Sequence, residues 1–319
     1  MWRRSGLVLL LAASVMAPVY ARHARPVTQQ IFLQPWTSHA AQRQEIKAYF
    51  STMDRQYSHL ILQWSRLGEA EFWPEDGSGW LKEVLPRHGR LKIIYGLNHG
   101  NDYFAALKFN DQDLADYLAK DRALSLSEAK KIVRQSPVAP AGWYLPEEID
   151  DLNWNTPARQ QILLQHLQEL SAGLQKIKAV PVYISAFFGG HTPPVQFAAL
   201  LKAMQQGSGV VWLVQDGKGV RRNPAPDTAQ YLSAIHAALP AHGWKGITEK
   251  FSERTIGGQV VFCPATLDEV IARQQIWRDV VGQEAEVAFS LNQTEKSIFN
   301  AAQNCSPWSE APVNRHQIR

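Results

Sequence analysis

The residues most capable of chemistry lie in the stretch Gly142-Trp143-Tyr144-Leu145-Pro146-Glu147-Glu148-Ile149-Asp150-Asp151-Leu152-Asn153-Trp154. Its first half reads as a short buried strand. Pro146 cannot donate to a ladder, so the strand is predicted to end about there and to present Glu147 and Glu148 on its carboxyl-terminal rim. A second acid, Glu249, follows another apolar run, Trp244–Glu249, and Asp216 follows a third, Gly209–Gln215. Hydrolysis of a glycosidic bond needs two carboxyl groups on opposite sides of one bond. Glu148 as general acid/base and Glu249 as nucleophile is the expected pair, with Asp216 as the rival second carboxylate. A single glutamate at a strand end more often caps a helix or pairs with a nearby Arg or Lys; the case rests on the two positions together. Asp150 and Asp151 are expected to start the next segment.

These acids need a scaffold that brings strand ends to one face. The chain supplies eight apolar runs separated by helical patterns: Gln30–Gln34, His59–Trp64, Leu91–Gly96, Gly142–Leu145, Val182–Ser185, Gly209–Gln215, Trp244–Glu249 and Ala285–Ser290. Between them Thr156-Pro157 is an N-cap followed by proline at the first helical position. Ile162, Leu163, Leu167, Leu170 and Leu174 make a helical stripe, and Thr266 with Glu269 makes a capping box. Eight strand–helix units in one α/β chain predict a single (β/α)8 TIM barrel over residues 22–319. The structural competitor, a doubly wound sheet, would carry a glycine-rich turn after its first strand, and Gln34-Pro35-Trp36 is no such turn.

In a barrel the residues that follow the strands converge on one mouth. Here they are amides, aromatics and acids. Gln34, Trp36, Gln63, Trp64, Tyr95, Trp143, Tyr144, Glu147 and Gln215 are the expected substrate contacts, because amides bond sugar hydroxyls and aromatic faces cover the apolar side of a pyranose. A phosphate site would call for Lys, Arg and glycine nests, which are sparse. Glu69, in the long loop 67–79, is expected either to cover the substrate or to be merely exposed. His99 and His191 also follow strands, but neither an H-x-H nor an H-E-x-x-H spacing occurs, so no metal is expected. With no G-x-S-x-G elbow, serine nucleophile chemistry is disfavoured too, and no cofactor is expected.

The 319 residues carry 33 basic and 29 acidic side chains without long runs of either sign, a net charge of +4 that does not point to nucleic acid or an anionic membrane. Arg3 and Arg4, the apolar stretch from Gly6 to Pro18 and Val19-Tyr20-Ala21 read as a signal peptide over residues 1–21, with no cysteine at the cut for a lipid anchor. A soluble protein, periplasmic or secreted, is expected. Its two cysteines, Cys263 and Cys305, can form one disulfide in that compartment.

Phe32-Leu33-Gln34-Pro35-Trp36, Gly142 to Pro146 followed by Glu148-Ile149, Trp212 through Gln215-Asp216-Gly217, and Glu249-Lys250-Phe251 resemble a bacterial domain family of unassigned function, DUF4434-like, grouped with the TIM-barrel glycoside hydrolases. The similarity runs from about Gln30 to about Asn292. It implies the barrel and a glycoside-hydrolase-like site, and favours Glu148 over Glu147 because Glu148 holds the motif's acid place. One departure stands out: in the retaining glycosidases with acids on strands four and seven the fourth-strand acid follows an asparagine, whereas Glu148 follows Pro146-Glu147. Two functions are therefore expected. One is a glycosidase acting on a polysaccharide, in particular a bacterial exopolysaccharide; the other is a catalytically silent carbohydrate-binding barrel serving an exopolysaccharide synthesis or export complex.

Overall fold

A computed structural model describes residues 29–299 apart from 87–88, 222–226 and 257. The segment expected to be a signal peptide and Cys305 lie outside the described residues; Cys263 is disulfide-bonded. Eight parallel strands close into a barrel in chain order: β1 (Gln30–Leu33), β2 (His59–Leu62), β3 (Lys92–Gly96), β4 (Pro140–Ile149), β5 (Val182–Ala186), β6 (Val211–Gln215), β7 (Trp244–Glu249) and β8 (Val287–Phe289), with β8 pairing back onto β1. The expected (β/α)8 barrel is the observed fold.

The helices that cover it follow from their sequence signals. In chain order we label α1 (Arg43–Phe50), α2 (Trp80–Val84), α3 (Asp111–Gln135), α4 (Pro157–Ile177), α5 (Pro194–Ser208), α6 (Thr228–Ala238) and α7 (Leu267–Val281). The Thr156 hydroxyl accepts from Arg159 N at the start of α4, with proline in the first turn. That helix buries Leu163, Leu167, Leu170 and Leu174, as the stripe requires. The capping box of Thr266 and Glu269 opens α7 with both of its hydrogen bonds formed.

Side-chain alternation along the strands sorts the core into two parts. One residue from each strand (Phe32, Ile61, Ile94, Tyr144, Tyr183, Leu213, Ile247 and Val287) forms a buried layer inside the barrel. Their neighbours, such as Leu33, Leu62, Tyr95, Trp143, Ile184 and Trp212, belong to the larger core between sheet and helices. The inner layer seals the barrel and forms the floor beneath the mouth.

Strand β4 departs from expectation. It continues through Pro146 to Ile149, and the ladder to β5 shifts register: Leu145 pairs with Ile184, but Glu148 pairs with Ser185. The missing N–H of proline is absorbed by this bulge-like irregularity instead of ending the strand. Loop 67–79 is not simply a cover either. Phe72 and Trp73 within it are buried in the core, while the side chain of Glu69 is exposed.

Candidate functional site

Two residues beyond each member of the inner layer lies the next inward position, and these positions form the mouth. They are Gln34, Gln63, Gly96, Ser185, Gln215, Glu249 and Phe289, with the β4 irregularity placing Glu148 in the same ring. Contacts across the barrel agree with this placement. Tyr144 Oη lies 2.8 Å from Ser185 Oγ, Gln215 Nε2 donates to Glu148 Oε1 at 2.9 Å, and the Phe32 and Phe289 rings are 5.1–5.3 Å from their inner neighbours Tyr144 and Phe32. Gln34 and Gln63 are buried there, and each has a side-chain oxygen without a partner among the described residues. An unpartnered buried amide oxygen is a position that a ligand hydroxyl or a water can satisfy.

The acids divide sharply. Glu148 is half-buried, aimed inward, and its main-chain carbonyl accepts from Tyr103 Oη at 3.1 Å. Glu249 is only 2% exposed. Its Oε2 accepts the Gly219 amide, and its carboxyl touches that of Asp216, itself 1% exposed. Burial, then the charge of Asp216, pushes the Glu249 carboxyl up to about 8. Burial raises Asp216 as well, against the Lys218 amide that bonds its Oδ1 at 3.0 Å. Arg273 of α7 fixes this corner. Its guanidinium donates to the carbonyls of Glu249, Phe251 and Lys218 and to Ser252 Oγ, so it ties the end of β7 to the turn after β6.

Several expected contacts lie elsewhere. Glu147 points away from the mouth: it is 3% exposed, its Oε1 is 3.1 Å from His166 Nε2 of α4, and its carboxyl contacts Asp121 of α3. Tyr95 and Trp143 also face outward, Tyr95 Oη bonding Ser136 Oγ and Val138 O, and Trp143 Nε1 bonding Lys178 O. All three are one residue out of phase with the inner layer, so they pack under the helices and not toward a ligand. Tyr144 lies in the floor, 1% exposed. Trp36 sits half-buried at the rim, its ring 5.1 Å from that of Trp64. Trp64 is nearly buried, bonds Pro35 O and stacks on His99 at 6.2 Å.

Other residues hold the rim in place. Asn292 bonds both N and O of Gln34 and so holds the β1 rim in place. Asp151, 1% exposed, accepts the amides of Gly189, Gly190, His191 and Thr192 and the Tyr231 hydroxyl, fixing the loop after β5. Arg273 could have been suspected from its place on the buried stripe of α7 beside Gln274 and Trp277.

A crystal structure of a "putative alpha-L-fucosidase" from Bacteroides thetaiotaomicron superposes over 92% of this chain and 99% of that chain, with a TM-score of 0.58 at 14% identity, a likeness of fold. A family GH18 chitinase from Cycas revoluta aligns more loosely, at a TM-score of 0.49 and 14% identity over 85% of this chain and 96% of that one. In sequence, uncharacterized protein YbcH of Escherichia coli K12 is 36% identical over 191 residues, which is 59% of this chain and 64% of that protein. Residues 29–298 match the family model DUF4434, a domain of unknown function, and the chain belongs to that family.

Proposed function

We propose that this protein is an exported glycoside hydrolase that cleaves a polysaccharide, in particular a bacterial exopolysaccharide, with Glu148 and Glu249 as its carboxyl pair. The observation that carries the reading is the inner ring at the mouth. Glu148 of β4 and Glu249 of β7 share one ring with the amides of Gln34, Gln63 and Gln215, above a sealed apolar floor. Such a ring offers hydrogen bonds to sugar hydroxyls and acids for proton transfer, and the proposed reaction requires no cofactor. Trp36, at the rim, supplies an aromatic edge for a sugar ring.

One observation favours a second reading, a carbohydrate-binding barrel without turnover that assists polysaccharide synthesis or export. Glu249 is almost wholly buried and already bonded to Gly219 and Asp216, whereas Glu148 is half-open. Reducing-end release by the mature protein against a panel of bacterial exopolysaccharides, measured beside Glu148→Gln and Glu249→Gln, separates the two. Release abolished in both variants supports hydrolysis. Binding without release in the wild type overturns it in favour of the silent barrel.

A further inference from the structure

The turn Asp216-Gly217-Lys218-Gly219 treats its two acids alike. The Lys218 amide bonds Asp216 Oδ1 at 3.0 Å, and the Gly219 amide bonds Glu249 Oε2. The two carboxyls also contact each other, and Asp216 Oδ2 is buried. Two carboxylate oxygens cannot share a dry contact unless a proton lies between them. The position is built for closeness. A Cβ at Gly219 would stand 2.8 Å from Glu249 Oε2 and 2.6 Å from Phe251 Cε2, so no larger residue fits there without displacing the acid or the ring.

Nearby cations do not remove the need for that proton. The charge of Arg273 favours the ionised form of both carboxyls, but its guanidinium donates to three carbonyls and Ser252 Oγ and to neither acid side chain. Among the described residues Lys250 also reaches Asp216 through its charge, and burial disfavours its ammonium form. Glu148 differs from them: it is half-buried, and one oxygen accepts an amide N–H from Gln215, a contact a carboxylate satisfies well.

Resting on the hydrolase reading, we propose that Glu249 and Asp216 hold one proton between them and that Glu249 is the proton donor to the leaving oxygen, with Glu148 as the carboxylate that takes the proton of the attacking water. This reverses the roles expected from sequence. In the step, water oxygen bonds to the anomeric carbon and its proton passes to Glu148. The bond from that carbon to the glycosidic oxygen breaks, its electron pair stays on the leaving oxygen, and that oxygen receives the proton from Glu249. Asp216 does not touch substrate in this scheme; it is a positioning residue that keeps the proton on the pair. Two acids with opposite environments divide acid and base work in this way.

The test is a carbon-13 NMR titration of the wild-type protein labelled at Glu and Asp side-chain carboxyls, with Glu249→Gln identifying the resonance. Titration of that signal near pH 8 supports the shared proton, and a fall of about one pH unit or more in Asp216→Asn, where the neighbouring charge is gone, supports the pairing. Titration in the ordinary carboxylate range overturns the proposal whether or not any glycan is cleaved. Where Glu249→Gln does not fold, Glu249→Asp, which removes that signal from the glutamate carboxyl region, assigns it instead, and the wild-type titration then decides. Where a glycan is turned over, the alkaline limb of its pH–rate profile should move down with Asp216→Asn; a limb that stays in place overturns the role of Asp216. Absence of turnover on every glycan refutes the hydrolase reading and leaves the shared proton to the NMR result.

Discussion

Asp151 offers a sharp test of how the mouth is held. Its Oδ1 accepts Gly189 N at 2.7 Å; its Oδ2 accepts Gly190 N at 3.0 Å, His191 N at 2.8 Å, Thr192 N at 3.1 Å and Tyr231 Oη at 3.2 Å. An asparagine has nearly the same shape, yet one of its two heads is a donor. Either head faces at least one N–H, and only the amide oxygen can accept, so Asp151→Asn turns an attractive contact repulsive at one head. Hydrogen bonds to a charged group contribute about 1.5–3 kcal/mol each, and stranded donors cost about 1–3 kcal/mol. The loop can open to water and recover part of this, so a net loss of about 3 kcal/mol is expected, lowering the thermal midpoint by about 6–12 °C. Asp151→Ala removes the repulsion along with the acceptor and leaves room for water, so it should be no worse than Asp151→Asn. Differential scanning calorimetry gives the midpoint, and amide hydrogen exchange at residues 189–192 gives the local effect. Wild-type stability and exchange in Asp151→Asn would refute the argument that charge, and not shape, holds this loop.

Three further outcomes follow from the site. Glu148→Gln should lower turnover by about 10²–10⁴-fold while leaving glycan affinity within a few-fold, read by reducing-end assay and calorimetric binding; affinity lost in parallel with turnover would move Glu148 from chemistry to binding. Gly219→Ala, whose Cβ would meet Glu249 and Phe251, should destabilise by about 1–3 kcal/mol and lower activity, and a neutral result in both assays would mean that the turn is slack. The third concerns pH. Glu249 is raised from 4.5 to about 8 on folding, so its stabilising contribution is complete below 4.5 and is lost as pH rises through 8. His39, His59, His99 and His166, each lowered by burial from 6.5 to about 4, act in the other direction, and their contribution is complete above 6.5. Between 6.5 and 8 the wild-type midpoint should therefore fall relative to that of Glu249→Gln, in which this proton is absent; parallel curves would contradict it.

Much of this was legible in the sequence because it is periodic. The stripe of α4, the capping box of α7 and eight apolar runs define the barrel through local rules alone. The same rules, applied more strictly, would have sorted the aromatics. A strand turns its side chains alternately, so once Tyr144 is inside, Trp143 must be outside, and Ile94 inside puts Tyr95 outside. What local rules could not supply is the behaviour of Pro146. Whether a proline ends a strand or is absorbed by a shift in register depends on the neighbouring strand, here β5, and that is a long-range fact. The contact of Asp216 with Glu249, and the clamp of Arg273 that ties Lys218 to the end of β7, are of the same kind: they join segments that have no spacing rule between them.

The barrel wall decides which acids can serve chemistry. Adjacent residues on β4 lie on opposite sides of it: Glu148 faces the mouth, while Glu147 meets His166 and Asp121 beneath α3 and α4. Both places gather carboxyls that burial raises: Glu147 with Asp121 behind the sheet, and Glu249 with Asp216 at the mouth. A raised carboxyl alone therefore cannot identify a working acid, since structural networks produce the same shift. Position separates the two pairs. The Glu147 pair is enclosed by sheet and helices, and Asn98 Nδ2 already bonds Asp121 Oδ1 at 2.7 Å, so its chemistry is confined to holding those helices to β4. The Glu249 pair shares its ring with Glu148 and with amide oxygens that have no partner among the described residues. On the proposed reading, this is the pair whose held proton meets a bond to break.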